Sequence, residues 1–258
     1  MSVHLITFNT QGEPYDNGMD LTNASNIFTS IFKDKVDFFT SFNSEKMINI
    51  YPNFKEEYLK VYSEYNYGHH KRGCNMGFWS WKPFVIYNYL KQMKDGDLLV
   101  YHDCNIGKYP IYQLESNDFK ENVKLLFQFK NASDVIISIE DPCDEKLKHC
   151  KNYVKNEVFQ KLGKENDYYK NFPLLHANRI FIRKSKLSEN FIFNWLTLCK
   201  TDLILPEINE NIEWHTHDQA IVTVLYRKYI ELGFFHENSP NLYLKNGLFT
   251  KNNIFIQM

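Results

Sequence analysis

The amino-acid sequence predicts an α/β fold with a mostly parallel central sheet flanked by helices. Short apolar strands alternate with helical segments over roughly the first 200 residues, which is the pattern of a parallel sheet with crossover helices. The chain has 258 residues, of which 43% are hydrophobic, enough for a sizeable core. It contains no internal repeat and no linker rich in Pro or Ser. We therefore expect a single domain over residues 1–258.

The first two strand–helix units occupy the N-terminal part of the chain. The apolar run at residues 3–8 predicts a buried strand, and the polar sequence that follows at residues 9–12 is typical of a loop. Residues 21–32 place apolar side chains on one helical face. Residues 36–42 predict a second strand, and residues 54–65 predict a helix.

The third unit contains the most regular signals. Pro83 suits the first turn of a helix at residues 83–94, because proline lacks only an N–H that is unpaired there. The sequence Asp95-Gly96-Asp97 ends this helix, and residues 98–102 predict a buried strand. The remaining elements are expected as helices at 118–130, 152–162, 187–199 and 219–232, strands at 134–139 and 174–183, and short strands and loops over 234–258.

Composition excludes several classes of protein. Lys and Arg number 30 against 31 Asp and Glu, a net charge of −1, which argues against a nucleic-acid binder and against an acidic tail. The five Cys residues show no C-x-x-C spacing, so neither a disulfide framework nor a zinc knuckle is expected. The N-terminus lacks the pattern of a signal peptide, and no apolar run is long enough to span a membrane. We expect a soluble protein of a reducing, cytoplasmic compartment.

Polar residues follow two of the expected strands, where ligands bind in open α/β sheets. Thr7 and Asn9 end the first strand, and His102, Asp103 and Asn105 end the third. A carboxylate directly after an apolar strand is a natural ligand for a hard divalent cation, and Asp103 with Asn105 offers two oxygens. The alternative is a turn in which Asp103 bonds its own backbone.

A second cluster precedes the helix at Pro83. Arg72 and Lys82 offer positive charge for a diphosphate, and the intervening glycines allow a close backbone approach. The alternative is a basic surface loop with Trp79 and Trp81 as core anchors.

The third cluster lies before the last helix. Three roles are open for Asp218: a general base, part of a metal site, or the N-cap of that helix. As an N-cap, its carboxylate would accept hydrogen bonds from the free N–H groups of the first turn. His215 and His217 have a possible but unspecific zinc spacing. His236 alone has the default interpretation of a surface or satisfied core histidine.

These clusters together resemble a known pattern. The stretch Arg72-Gly73 to Gly77-Phe-Trp-Ser-Trp-Lys-Pro83, followed by Asp95-Gly-Asp97 to Tyr101-His-Asp103, resembles a segment of GT-A-type glycosyltransferases from bacterial capsule and large-virus glycan clusters. His217-Asp218-Gln219-Ala220 is similar to that group's HDQ motif, and a helical Trp is matched by Trp195. Order and spacing agree over roughly residues 3–228. If the source is such a virus, the expected compartment is the host cytoplasm.

The resemblance implies a GT-A-like single domain with a Rossmann-like half that binds a nucleotide sugar (about 1–110) and an acceptor-binding half (about 111–258). It implies a nucleoside-diphosphate donor, with UDP expected, a glycan acceptor, and Mn²⁺ or Mg²⁺ as cofactor. Carried over by position, the nucleotide-sugar contacts are Thr7, Asn9, Arg72, Trp79, Lys82, His102 and Asp103. The metal ligands are Asp103, Asn105 and His236, with Asn105 replacing the second carboxylate of a D-x-D motif. The acceptor side has Asp218 as catalytic residue, with His217 and Gln219 as acceptor contacts.

Two other functions remain open from the sequence. Asn105 stands in place of the second carboxylate of the D-x-D motif, and this favours a homologue that binds a nucleotide or sugar without catalysis. A metal-dependent nucleotidyltransferase or hydrolase is the other alternative, and it uses Asp103 with His215 and His217. If the glycosyltransferase inverts configuration, Asp218 takes the acceptor proton; if it retains, Asp218 holds the donor or acceptor sugar.

Overall fold

The computed structural model describes residues 1–10, 21–65, 73–104, 118–129, 132–139, 148–163, 165–206 and 212–237. The expectations for Arg72, Asn105 and the tail from residue 238 onward lie outside these residues. The described chain confirms the α/β class, with one sheet flanked by helices.

The sheet has the strand order β2-β1-β3-β5-β4 and is mixed. The β1–β2 and β1–β3 pairs are parallel, whereas the β3–β5 and β4–β5 pairs are antiparallel. The expectation of a mostly parallel sheet is therefore wrong for half of the pairings. A central strand covered on both faces is apolar throughout in either direction, so its sequence does not reveal its direction. The strands are β1 (Val3–Asn9), β2 (Phe38–Asn43), β3 (Leu98–His102), β4 (Val135–Ile139) and β5 (Leu175–Arg183).

Most predicted helices are present, with shifted ends. The helix expected at 54–65 ends at Tyr58, and the one expected at 152–162 is two short helices separated by the extended residue Val154. Among the described residues, no helix combines the length and the apolar character needed to cross a bilayer. The helices are α1 (Leu21–Phe32), α2 (Ser44–Ile50), α3 (Phe54–Tyr58), α4 (Trp81–Leu90), α5 (Phe119–Leu126), α6 (Cys150–Tyr153), α7 (Asn156–Leu162), α8 (Asp167–Lys170), α9 (Lys186–Cys199) and α10 (His217–Glu231).

The sheet divides the core into two parts. Side chains alternate between the faces of a strand, so on β1 Leu5 packs with α1 and α5, whereas Ile6 packs with α4, α9 and α10. On β3, the side chain of Val100 likewise lies on the α1 side of the sheet and that of Tyr101 on the α4 side. This alternation decides on which side of the sheet each polar residue at a strand end comes to lie.

Candidate active site

Three distant segments bring charged side chains together at the carboxyl end of β3. Lys82 from α4 places its Nζ 3.3 Å from Oδ2 of Asp218 in α10 and 3.8 Å from Oδ2 of Asp103, which directly follows β3. The hydroxyl of Tyr101 donates to Oδ1 of Asp103 at 2.5 Å. One ammonium group thus lies between two carboxylates, all on the α4 face of the sheet.

The three charged groups differ in exposure. The side chains of Lys82 and Asp218 are 6% and 5% exposed, whereas that of Asp103 is 31% exposed. Asp103 is therefore the carboxylate that a ligand reaches first. Lys82 and Asp218 lie beneath it in a region where water screens their charges poorly.

Burial changes the protonation of the cluster. It raises the pKa of Asp218 to about 6, against the opposing effect of Lys82 and with a further increase from the charge of Asp103. Burial also holds the pKa of the Cys199 thiol well above its usual range, and the charge of Asp218 adds to this. A carboxyl group with a pKa near 6 exchanges a proton readily close to neutral pH, which is the property of a general base.

The backbone before α4 is wound into an unusual conformation. Gly77, Phe78 and Trp79 have φ of +56°, +51° and +62°, in the left-handed region. Such a conformation costs a non-glycine residue about 1 kcal/mol or more, so the surrounding contacts must hold it. The Phe78 ring stacks on His217 at a centroid distance of 4.5 Å, and His217 itself has φ of +51°. The segments that carry Lys82 and Asp218 therefore pack directly against each other.

Further contacts place the first turn of α10. The indole N–H of Trp195 donates to the backbone oxygen of Asp218 at 3.0 Å, and the Nδ1–H of His217 donates to the oxygen of Ile204 at 2.8 Å. Thr216 occupies the N-cap position, so the expectation that Asp218 caps this helix is wrong. The carboxylate faces Lys82 and also accepts a hydrogen bond from the backbone N–H of Gln219 in the first turn. Gln219 follows it, half-buried, in the same turn.

Three of the expected nucleotide-sugar contacts lie at the same edge of the sheet as the charged cluster, but their side chains face α1, on the opposite side of the sheet. Thr7, Asn9 and His102 are all buried. His102 packs against Phe28, and burial together with the charge of Arg179 holds its pKa well below the usual range, so the ring is neutral. His102 is a core histidine here rather than a surface group. Trp79 remains half-buried, with its ring 5.8 Å from that of His217.

Three residues of this region were not predicted from the sequence as site residues. Tyr101 orients Asp103, and its position two residues before that carboxylate, on the same face of the strand, is the signal that was available. Cys199 contributes to the wall beside Asp218. Arg179 is the register partner of His102 in the β3–β5 pair. No local sequence pattern predicts this pairing, because β5 was not expected to run antiparallel to β3.

The expected histidine ligand for a metal does not lie near Asp103. The side chain of His236 is exposed, and its backbone N–H donates to the hydroxyl of Ser133. Ser133 lies just before β4, and the first residue of β4 is level with Leu99 of β3 in the sheet. Leu99 precedes Asp103 by four residues, which is about 13 Å along the strand. The expectation that His236 joins Asp103 is therefore wrong. Among the described residues, no group of three His, Cys, Asp or Glu side chains is arranged to hold a metal.

The two histidines near Asp218 are engaged by backbone groups. His215 is fully buried; its Nδ1 accepts from the N–H of Lys155 at 3.3 Å and its Nε2–H donates to the oxygen of Leu203 at 2.9 Å. Both ring nitrogens of His215 therefore have partners. This arrangement disfavours the zinc site that the spacing of His215 and His217 had left open.

Comparison of the chain with protein-family models, with curated proteins and with solved structures gives no match.

Proposed function

We propose that the chain is a glycosyltransferase that moves a sugar from a nucleoside-diphosphate donor, with UDP as the expected nucleotide, to a hydroxyl of a glycan. The observation that carries the proposal is the convergence of Lys82, Asp103 and Asp218 at the carboxyl edge of an α/β sheet. These residues come from the three sequence motifs that resemble glycosyltransferases. That edge is where α/β sheets bind nucleotides.

Each member of the cluster has a distinct role in this proposal. Asp103, the most exposed, faces the donor. The Lys82 ammonium supplies positive charge that favours departure of the diphosphate. Asp218, with its pKa of about 6, takes the proton of the attacking hydroxyl. Turnover that depends on an ionised Asp218 is expected to fall as the pH drops below about 6.

The donor set fits a divalent cation that is held largely by the substrate. Mg²⁺ in phosphate-binding sites needs only one or two carboxylates when the phosphates supply further oxygens, and Asp103 provides one at an accessible position. Such a cation neutralises negative charge on the diphosphate when it is bound.

The proposal is tested by measuring UDP release with a panel of UDP-sugars, with Mn²⁺ and with a chelator. We expect Asp218→Asn to lower turnover by roughly 10²–10⁴-fold, the usual contribution of a positioned base. Asp103→Ala should also lower turnover, because the donor loses its accessible carboxylate contact. Asp202→Asn is the matched control, because this exposed carboxylate lies outside the cluster. Unchanged turnover in Asp103→Ala would remove the donor role. An unchanged pH profile in Asp218→Asn would leave Asp218 as the residue that positions Lys82.

A second candidate is a homologue that binds the donor without catalysis. The burial of Asp218 beneath Asp103 favours it, because a buried base is harder for an acceptor hydroxyl to reach. Calorimetric binding of UDP-sugars without turnover on any acceptor would support this candidate against the enzyme.

A further inference from the structure

A cavity of about 300 Å³ lies beyond the far side of β5, away from the charged cluster. It opens between α8, the last residue of β4 and the second half of α10. Its lining includes the Tyr168 ring, Phe172 and Arg227, together with polar side chains of α8 and the segment after it.

Arg227 lies in the wall of this cavity and contacts several of the other lining residues. Its side chain is 8% exposed, and its guanidinium lies 3.4 Å from the centroid of the Tyr168 ring and 4.8 Å from that of Phe172. Nε donates to the backbone oxygen of Tyr168, and Nη1 donates to a carboxylate oxygen of Glu237 at 2.9 Å. Within the described chain no hydrogen bond engages Nη2. The buried guanidinium is thus stacked on one face of the Tyr168 ring, with its Nη2 group left to donate to a ligand.

The remaining lining defines the chemistry of the ligand. Tyr168 is 38% exposed, so the part of its ring that the Arg227 guanidinium does not cover offers an aromatic surface. Asp167 and Asn171 add oxygen acceptors and amide donors. Sugar hydroxyls both donate and accept, and sugar C–H groups suit the electron-rich face of an aromatic ring. The carboxylates of Asp167 and Glu237 outnumber the single guanidinium, which disfavours an anion. An uncharged pyranose matches this lining.

The cavity lies at the same edge of the sheet as the charged cluster. Arg227 follows Asp218 by nine residues on α10, which is about 13 Å along the helix. Ile139, in the cavity wall, pairs with Leu175 at the start of β5. Three residues later on β5, the backbone oxygen of Asn178 accepts a hydrogen bond from the backbone N–H of Asp103. A chain of linked sugars is long enough to occupy both places.

We propose that this cavity binds an uncharged sugar residue of the acceptor glycan, distant from the residue that reacts. The assignment of this sugar to an acceptor glycan rests on the proposed function, whereas sugar binding at Tyr168 and Arg227 is independent of it. The acceptor is consequently an oligosaccharide or longer glycan rather than a monosaccharide.

Saturation-transfer NMR tests the sugar site directly. The probes are glucose, galactose, N-acetylglucosamine, cellobiose, lactose and chitobiose at millimolar concentration, with glucuronate as the anionic comparison. We expect Tyr168→Ala to weaken binding roughly tenfold, Tyr168→Phe to retain it, and Phe193→Ala, which removes another exposed aromatic ring, to leave it unchanged. Equal binding by Tyr168→Ala, preference for glucuronate, or no saturation transfer from any neutral probe to the wild type would each overturn the proposal.

Kinetics separate this inference from the proposed function. If the chain is a glycosyltransferase, Tyr168→Ala raises the KM for an oligosaccharide acceptor and leaves the donor KM and acceptor-free donor hydrolysis unchanged. An unchanged acceptor KM in an active Tyr168→Ala enzyme would overturn the acceptor assignment alone. Absence of turnover in every protein, with sugar binding lost in Tyr168→Ala, would contradict the proposed function and support the sugar site.

Discussion

The ion pair between Lys82 and Asp218 is almost completely shielded from water. A buried pair loses the hydration of both charges, so its net contribution to stability is small even when the loss of one partner is severe. The charge of Asp103 nearby attracts the same ammonium and repels the same carboxylate. We expect these residues to behave as one energetic unit.

Removal of one partner should therefore be worse than removal of both. Lys82→Met removes the ammonium beside the buried Asp218 carboxylate, and Asp218→Leu leaves the buried Lys82 ammonium with Asp103 at 3.8 Å but without its nearer carboxylate. Each variant is expected to lower the free energy of unfolding by about 3 kcal/mol, whereas the double variant should cost less than the sum. Urea unfolding of the wild type, the two single variants and the double variant gives the free energies of this double-mutant cycle. The exposed pair Lys200–Glu57 is the control, and its removal should cost at most about 1 kcal/mol. Additive losses at Lys82 and Asp218 would contradict the coupling.

Asp218 should also impose a pH dependence on stability. Its pKa rises from 3.8 to about 6 on folding, so between these values the folded state binds more protons than the unfolded state. The contribution of this group to the free energy of unfolding therefore decreases as the pH rises through that window. Unfolding curves of the wild type and Asp218→Asn across the window should differ in slope, with Asp202→Asn parallel to the wild type. Identical slopes in wild type and Asp218→Asn would show that burial leaves this carboxyl unshifted.

At the scale of elements, the turn into α4 carries the strictest backbone requirement. Gly77 has φ of +56°, and a Cβ there would lie 2.3 Å from the backbone oxygen of Tyr58. Both the left-handed conformation and the close approach exclude a side chain. The turn sets the positions of Trp81 and Lys82, and it is held by the contact of Phe78 with His217.

Gly77→Ala is predicted to destabilise the fold by about 3 kcal/mol, since it combines an unfavourable φ with a clash against backbone. Gly233→Ala is the matched control: its φ is +75°, but nothing lies within 4 Å of the added Cβ, so only about 1 kcal/mol should be lost. Thermal or urea unfolding compares them. Equal losses in the two variants would mean that the approach to Tyr58 does not matter.

At the scale of the whole molecule, the two-sided sheet buries thiols throughout the described chain. Cys74, Cys104, Cys150 and Cys199 are all buried, and burial raises the pKa of each thiol, to about 12 at Cys104. Both effects suppress the thiolate that reacts.

Ellman's reagent should consequently label at most one of the five thiols rapidly in the native protein, and all five in denaturant. A rapid phase, if present, should disappear in Cys143→Ser, because the other four thiols are buried. Rapid labelling of two or more thiols would show that the core opens readily.

The sequence by itself determined the α/β class, the positions of β1 and β3, and the candidate residues Lys82, Asp103 and Asp218. These features are local: strand periodicity, helix signals and short motifs are all contained within a few neighbouring residues.

Only the tertiary structure decided which of these residues meet. It reversed β5, brought Arg179 beside His102, turned Asp218 from a helix cap toward Lys82, and placed His236 about 13 Å or more from Asp103. It also formed the cavity around Arg227. The physical reason is that strand direction, side-chain burial and charge pairing depend on contacts between residues far apart in the chain. Local propensity carries no information about such contacts.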